Sequence, residues 1–541
     1  LQALCLEKFN KANKIADYFS GIVFLNQDMY NESFQYLRKL DGLENVHTSY
    51  SSKYLYSLIN SGNFYQAFIY SKKLEKQKAS SFESNLIMGI YYLKKSQFNE
   101  SKKYFLKAKQ KKPRSILDNY IIDSLSNWSS VSSSNLEKSE SSLNQMDNRF
   151  NNLKRIQKVF LNCFFKNDKT EVEFEALINY EDVDFSRYNY FFIKYLNRIG
   201  KGSKAEATLK NSLRKFPRNL LLNQHKLDRK NSKNSSHFNC EKVEDVVAEI
   251  LYINANALSS QSFYSLSNFY LNLAKYLNKN FHAFDTLLAE NFYNINNFTK
   301  AKEIYKSLIV YGGAFEWYSN KQIARILIQE NNKESAISLL SRSYDKLDDK
   351  GIYEGYDYAE FLKNNEQFKQ AIKQYSIILN KIDLSHPLYP EVTDGRGVAF
   401  ERLGKWNKAE IDLKESLKAK PNQAYVINYL AYSWIEQGKN IEQSLRMLEK
   451  ANELKSNDPY IIDSLGWALF KLNRLQESKK YLQLAVSLMP ADPIVNDHFG
   501  DVLWKNGNEI QARYYWNFVL NLEKAEDDLK NKIKKKLITG L

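Results

Sequence analysis

Four polar residues recur at nearly regular spacing in the last third of the chain. Asp394, Asn428, Asp463 and Asp497 each stand three residues before a glycine or an alanine. Carboxylates and amides can hydrogen-bond to the backbone of an extended peptide. We call these four residues the polar ladder, and their spacing predicts one face of a series of stacked helices.

Aromatic side chains accompany the polar ladder at the neighbouring inward positions. Aromatic residues add contact area at a low cost in conformational entropy. The pattern therefore predicts a groove that binds a peptide or a protein helix. The candidate groove residues are Asp394, Tyr425, Asn428, Tyr429, Tyr432, Tyr460, Asp463, Trp467, Phe470, Asp497, His498, Asp501 and Trp504.

A second interpretation of the same side chains is packing between neighbouring helices. In that case Asp463 and Asp497 cap or hydrogen-bond to adjacent helices, and the aromatic residues belong to the core. The sequence leaves both interpretations open.

Residues for catalysis or metal binding do not form a recognisable pattern. The histidines stand far apart in the sequence, without an HxxxH or HExxH spacing; they are His47, His225, His237, His282, His386 and His498. His498 beside Asp497 and Asp501 could act as a base or a metal ligand, but a structural role is favoured. The chain also lacks GxxxxGK[ST], GxGxxG and GxSxG motifs. We therefore predict a non-enzymatic protein with no catalytic residues, no metal and no cofactor.

A 34-residue period connects the candidate residues. Gly466 and Gly500 are 34 residues apart, as are Ser478 and Ala512. Small residues at the eighth position of each unit are Gly21, Gly89, Ala289, Ala324, Ala359, Gly397, Ala431, Gly466 and Gly500. Twelve positions later stand Ser33, Ser101, Ala301, Ala336, Ala371, Ala409, Ser478 and Ala512, while Ser444 comes one residue late. A helix–turn–helix unit of this length resembles the tetratricopeptide repeat.

The period predicts an all-α fold, an α–α superhelix of about fourteen repeats in which each unit contacts only its neighbours. We expect an N-terminal arm at 1–224, with degenerate repeats at 114–180. A polar linker or insertion at 225–242 follows, with a hinge as one interpretation. A C-terminal arm at 243–522 and a basic capping helix at 523–541 complete the chain.

Charge and cysteine content narrow the class of protein further. The net charge of +16 and the pI of about 9.2 come from lysines spread along the chain, which favours solvated helix faces over a dedicated anion site. Peripheral association with a membrane through this basic surface stays open.

Cys5, Cys163 and Cys240 have no metal-ligand spacing, and no disulfide can be argued from them. No transmembrane segment is predicted; residues 1–6 are compatible with the end of a signal peptide or with the first turn of a helix.

The C-terminal repeats carry a more specific resemblance. The segments DGRGVAFERLGKW, INYLAYSWIEQGKN and YIIDSLGWALFKLNR resemble the last repeats of large tetratricopeptide-repeat proteins of alphaproteobacterial type. The resemblance implies first helices that line a concave groove, protein interaction, often at the cell envelope, and no reaction. It implies a periplasmic or envelope-associated location, with the cytoplasm as the alternative. The lysine, asparagine and arginine set of chaperone-type carboxylate clamps is absent at the matching positions.

These observations predict a scaffold that binds a peptide or protein partner in its groove. Two other functions remain as alternatives. Helical repeats can bind RNA, and the basic charge favours this, but an acidic inner face repels phosphate. The chain could also be an arm that recruits substrates to a separate enzyme.

Overall fold

The computed structural model describes residues 2–40, 42–45, 47–111, 115–230 and 237–541. These residues form thirty α-helices and five short 3₁₀ turns, and they contain no β-strand. The all-α prediction is confirmed. The chain divides into two compact units, Leu1–Leu347 and Asp348–Leu541.

The first unit contains nineteen helices. They are α1 Gln2–Asn26, α2 Tyr30–Leu37, α3 Thr48–Asn60, α4 Phe64–Lys76, α5 Phe82–Lys94, α6 Phe98–Gln110, α7 Ile116–Trp128, α8 Leu136–Asn144, α9 Asn151–Phe164, α10 Thr170–Ile178, α11 Arg187–Arg198, α12 Gly202–Lys215, α13 Leu220–Lys230, α14 Val243–Ser260, α15 Tyr264–Leu277, α16 Ala283–Asn294, α17 Phe298–Leu308, α18 Gly313–Gln329 and α19 Lys333–Asp345.

The second unit contains eleven helices. They are α20 Ile352–Asn364, α21 Phe368–Leu379, α22 Tyr389–Arg402, α23 Trp406–Ala419, α24 Ala424–Glu436, α25 Ile441–Leu454, α26 Pro459–Lys471, α27 Leu475–Leu488, α28 Pro493–Lys505, α29 Glu509–Leu520 and α30 Asp527–Thr539.

Consecutive helices pair into hairpins. The described residues form fourteen such pairs, nine in the first unit and five in the second, with α13 and α30 outside them. This agrees with the predicted number of about fourteen repeats. The degenerate stretch at 114–180 also folds as two hairpins, α7–α8 and α9–α10. In each pair we refer to the first helix and the second helix in chain order.

The small residues at the eighth position allow the paired helices to approach closely. A Cβ atom placed on Gly466 would lie 2.7 Å from Leu482 Cγ on the partner helix. Ser478 then donates a hydrogen bond of 2.7 Å to the Gly466 carbonyl. The same bond joins Ser33 to Gly21, Ser101 to Gly89 and Ser267 to Ala255. Ser444, which comes one residue late, has a buried hydroxyl with no partner in the described part of the chain.

Helices α14 and α15 pack against first helices far away in the sequence. They contact α3, α5, α7 and α9 within the first unit. The Phe269 ring stacks on Tyr56 with 4.5 Å between ring centroids, and the Tyr270 hydroxyl donates to Asp118 at 3.2 Å. The expectation that each repeat contacts only its neighbours is therefore wrong in this unit, because aromatic side chains on both sides bury each other.

A buried ion pair fixes α14 against α11. Arg187 donates two hydrogen bonds, of 2.7 and 2.9 Å, to the Glu249 carboxylate, and the Glu249 side chain is fully buried. Burial alone lowers the pKa of Arg187, but Glu249 outweighs this and the pKa is raised, so the guanidinium stays charged.

The predicted linker at 225–242 is partly described. His225–Lys230 form the end of α13, residues 231–236 lie outside the described residues, and Val243 begins α14. Cys240 forms a disulfide with Cys163 of α9, a bond that the cysteine spacing did not predict. The domain boundaries given above stay a prediction.

None of the described helices combines the length and the apolar character needed to cross a membrane.

Candidate partner-binding groove

Two helices that carry candidate residues begin in the same way. The Asp458 carboxylate accepts hydrogen bonds from the backbone N–H groups of Tyr460 and Ile461, and Asp492 caps α28 equivalently. A proline follows each aspartate at the first helical position, where no backbone donor is needed. Because the two capping aspartates are 34 residues apart, equivalent side chains of α26 and α28 point in the same direction.

Side-chain hydrogen bonds join the first helices of successive repeats. The Tyr429 hydroxyl of α24 donates to Glu401 of α22 at 2.7 Å. Trp467 Nε1 of α26 donates to Glu436 of α24 at 2.7 Å. The first helices thus present one continuous surface, the inner face, made by the candidate residues on α22, α24, α26 and α28.

The last position of the polar ladder is filled by the chain itself. The Lys536 ammonium of α30 lies 2.6 Å from Asp497 Oδ1 and 2.7 Å from Asp501 Oδ1. Asp501 also accepts a hydrogen bond of 3.0 Å from Trp516 Nε1. Burial and the Asp497 charge raise the pKa of Asp501 to about 6, and Lys536 opposes this shift.

Asp463, the third position, is also occupied within the chain. His498 Nδ1 lies 3.0 Å from Asp463 Oδ2, and both side chains are 7% exposed. The His498 ring stacks on Trp467 with 3.9 Å between centroids. Burial lowers the pKa of His498, but Asp463 and then Asp497 and Asp501 outweigh it, so the pKa is raised.

The first two positions differ from the last two. The half-buried Asp394 carboxylate makes no hydrogen bond or ion pair within the described residues. Burial raises its pKa to about 6; Lys363 opposes the shift, whereas Glu360 and Glu391 add to it. Asn428 likewise has no side-chain partner among the described residues, and its Oδ1 is turned into the protein. Its amide nitrogen is the side that remains accessible.

Two tyrosines extend from this part of the surface. Tyr425 is 55% exposed and Tyr460 is 58% exposed. The Tyr425 hydroxyl donates to Asp458 at 2.9 Å, and the Lys455 ammonium lies 4.0 Å from the centre of the Tyr425 ring. Tyr432 is half-buried, with its ring centroid 6.3 Å from that of His498. The exposed rings lie where a partner could contact them.

Other candidate aromatic residues belong to the packed interior. Trp467 is 7% exposed and stacks on Phe470 with 4.8 Å between centroids. Trp504 lies 5.4 Å from Trp516, between centroids, and the Arg513 guanidinium covers it at 4.6 Å. The structure therefore separates the candidates into a packed group near α28 and an accessible group on α22, α24 and the first turn of α26.

Several residues of the inner face were missed in the sequence. Glu401, Glu436 and Lys363 stand at the twelfth or thirteenth position of their repeats, which point inward by the same period that identified the others. The repeat period was therefore enough to identify these three residues as inward-facing. Lys536 had no such signal, because it lies beyond the last repeat in a helix expected to be a solvated cap.

The described residues contain no group of three histidine, cysteine, aspartate or glutamate side chains arranged to hold a metal ion. The chemistry of the inner face is hydrogen bonding, charge and aromatic contact.

A family model described as "Tetratricopeptide repeat" matches residues 295–525. The chain is 28% identical over 161 residues to the TPR repeat-containing protein PA4667 of Pseudomonas aeruginosa, a match that covers 28% of this chain and 25% of that protein. The alphaproteobacterial kinship stays a prediction.

Solved structures of repeat proteins are also similar. A tetratricopeptide repeat protein from Parabacteroides merdae is 12% identical, covers 47% of this chain and 97% of its own, and has a TM-score of 0.39. YrrB, titled a TPR protein with an unusual peptide-binding site, is 15% identical. The match covers 36% of this chain and 97% of YrrB, with a TM-score of 0.29. The tetratricopeptide-repeat match thus covers the C-terminal part of the chain, and the described residues before it also form helical hairpins.

Proposed function

We propose that this chain is a non-enzymatic scaffold that binds an extended segment of a peptide or protein on the inner face of α22 and α24. Repeat solenoids use such extended surfaces for binding. The observation that carries the proposal is the uneven state of the polar ladder: Asp463 and Asp497 have partners within the chain, whereas Asp394 and Asn428 have none among the described residues.

The two open positions offer complementary hydrogen bonds. The Asn428 amide nitrogen can donate to a backbone carbonyl, and the Asp394 carboxylate can accept from a backbone N–H or a lysine ammonium. A partner segment that supplies both would satisfy groups that are otherwise costly to keep half-buried. Tyr425 and Tyr460 would flank that segment and supply contact area.

The charge of the inner face favours a neutral or basic partner. Burial is the main cause of the raised pKa of Asp394, and the nearby carboxylates of Glu360 and Glu391 add to it; Glu401 lies on the same helix as Asp394. The last ladder position holds the ammonium of Lys536, which supports a basic group as the ligand of the open positions. These carboxylates would repel a phosphate backbone, which argues against the RNA-binding alternative.

The test selects 12-residue peptides from a phage-displayed library on the full chain and measures their affinity by fluorescence anisotropy. We expect the double variant Asp394→Ala/Asn428→Ala to bind the selected peptides at least about tenfold more weakly, the size of one or two charge-assisted hydrogen bonds. Asn407→Ala, on the exposed surface of α23, is the matched control and should bind as the unaltered chain does.

Peptides that bind the double variant with unchanged affinity would contradict this site. Selected peptides that are rich in aspartate and glutamate and lack lysine and arginine would contradict the proposed chemistry. The envelope role implied by the sequence resemblance is a further part of the proposal, and cell fractionation tests it independently.

A further inference from the structure

The first unit contains a cavity of about 220 Å³. It lies among α11, α13, the start of α16 and the connection from α17 to α18. Its lining residues are Tyr190, Leu221, Gln224, His225, Asp228, His237, Phe281, His282, Ala283, Val310, Tyr311 and Phe315. The cavity is separate from the inner face of the second unit in sequence and in the elements that build it.

Half of the histidines of the chain meet at this cavity. His225, His237 and His282 are far apart in the sequence, and this separation hid that they line one cavity. The His237 and His282 rings lie 6.2 Å apart between centroids, and His225 faces Tyr190 edge-on at 5.9 Å. The fold, and no local motif, brings them together.

His225 carries an unsatisfied polar atom at this cavity. The residue is 6% exposed, and its Nε2 has no hydrogen-bond partner in the described part of the chain. The polar neighbours Gln224 and Asp228 are bonded to each other at 2.7 Å, and Gln224 also accepts from the Ala314 N–H at 3.1 Å. Nε2 is itself shielded, so a bound molecule would satisfy it after a small turn of the imidazole toward the cavity.

The histidines are uncharged at neutral pH. Burial lowers the pKa of His225 to about 4, and Lys194 and Arg229 contribute in the same direction while Asp228 opposes it. Burial also lowers the pKa of His237 and His282. A neutral imidazole offers one N–H donor and one acceptor nitrogen.

The remaining walls are apolar or aromatic. Leu221, Phe281 and Phe315 are buried, and the His282 ring stacks on Tyr311 with 3.3 Å between centroids. Val310 at one edge of the cavity is 79% exposed, which gives a molecule a way in from solvent. An apolar cavity of about 150 Å³ holds benzene, so this one has room for two fused rings.

We propose that this cavity binds a small uncharged bicyclic heteroaromatic molecule, which hydrogen-bonds to His225 Nε2 and packs among the aromatic side chains. An anion would meet the Asp228 carboxylate, and a cation would meet the charges of Lys194 and Arg229 that act on His225. The histidine positions do not form a three-ligand metal group within the described residues. A neutral ring system with a polar edge fits both the aromatic walls and the unsatisfied Nε2 of His225.

Benzimidazole and indene are the probes for this test. They have the same ring size, but only benzimidazole has an N–H and an acceptor nitrogen, so it suits either imidazole tautomer. We expect the full chain to bind benzimidazole saturably in isothermal titration calorimetry at pH 7.5, and to bind indene about tenfold more weakly.

Three variants locate the binding. Ala283→Leu takes up part of the cavity and should weaken the binding of both probes. His225→Leu should weaken benzimidazole about tenfold and leave indene nearly unchanged. His386→Leu, in the second unit, is the matched control and should change neither, and circular dichroism checks that each variant is folded.

A measurement on the unaltered chain covers the case in which a variant does not fold. In chains with ¹³C-labelled histidine, benzimidazole should shift the NMR signal of His225 and leave those of His47 and His386 in place. Absence of saturable binding, equal binding by Ala283→Leu, or no preference over indene would overturn the proposal. None of these outcomes bears on the peptide-binding proposal, whose residues lie in the other unit.

Discussion

The two compact units use the first helices of their repeats differently. In the first unit, α14 and α15 cover the first helices α3, α5 and α7, and Phe269 and Tyr270 fill the space between them. In the second unit, α22 and α24 pack chiefly against helices of their own and adjacent repeats. Their inward residues Asp394 and Asn428 are left without partners among the described residues.

Under the proposed function, this difference means that one hairpin design serves for compaction in the first unit and for recognition in the second. Small residues between paired helices are common to both units, so they build the repeat without deciding its use. The inward-facing residues decide whether the surface of the repeat is packed or accessible. Aromatic rings bury one another and close the surface, whereas carboxylates and amides keep it accessible until a partner supplies hydrogen bonds.

The largest expected effect comes from breaking the buried ion pair of the first unit. Arg187→Met leaves the fully buried Glu249 carboxylate without its partner, and loss of one side of a buried ion pair costs about 3–5 kcal/mol. Urea unfolding followed by circular dichroism measures the free energy of unfolding. The double variant Arg187→Met/Glu249→Met should regain most of the loss, and equal loss in the single and double variants would contradict this account.

A smaller effect is expected at Asp463, a position of the polar ladder that has a partner within the chain. Asp463→Asn removes the carboxylate that faces His498, and a hydrogen bond to a charged group contributes about 1.5–3 kcal/mol. Because the pKa of His498 is raised in the folded chain, this stability is fully present below the ordinary histidine pKa of about 6.5 and is lost as the pH rises through the raised value. Unfolding at pH 6 should therefore show a larger loss than at pH 9.5. Equal losses would mean that the pair does not depend on a charged imidazole.

The smallest effect, with the opposite sign, is expected at an open position. The folded-state pKa of Asp394 is about 6, above the ordinary 3.8, so the chain loses stability as the pH rises from 4 through 6. Asp394→Asn lacks this loss and should be more stable by about 1 kcal/mol at pH 7.5, after allowance for solvent screening, and equal at pH 4. Thermal unfolding at both pH values measures it. Destabilisation at pH 7.5 would show that Asp394 has a partner in solution.

The sequence predicted the repeat well because its signal is local. Gly466, Ser478 and Leu482 lie within one hairpin, and the spacing of small residues follows directly from the contact between two paired helices. The exception at Ser444 agrees with this. One extra residue precedes it, and its hydroxyl lacks the hydrogen bond to a carbonyl that the Ser478 hydroxyl makes.

What the sequence did not predict depends on contacts between distant residues. Lys536 reaches Asp497 from 39 residues away, and Tyr270 reaches Asp118 across 152. The period shows that a side chain points inward, but it does not show what fills the space it points into. For the same reason the sequence identified the polar ladder without separating its open positions from its closed ones.

The bond between Cys163 and Cys240 has a consequence for the cavity in the first unit. The cysteines are 77 residues apart, and Tyr190, Gln224 and His225 lie between them. A cross-link over a loop of this length removes about 4–5 kcal/mol of chain entropy from the unfolded state. Reduction would return that freedom to the unfolded chain, so the first unit, with its cavity, should unfold more readily in a reducing environment.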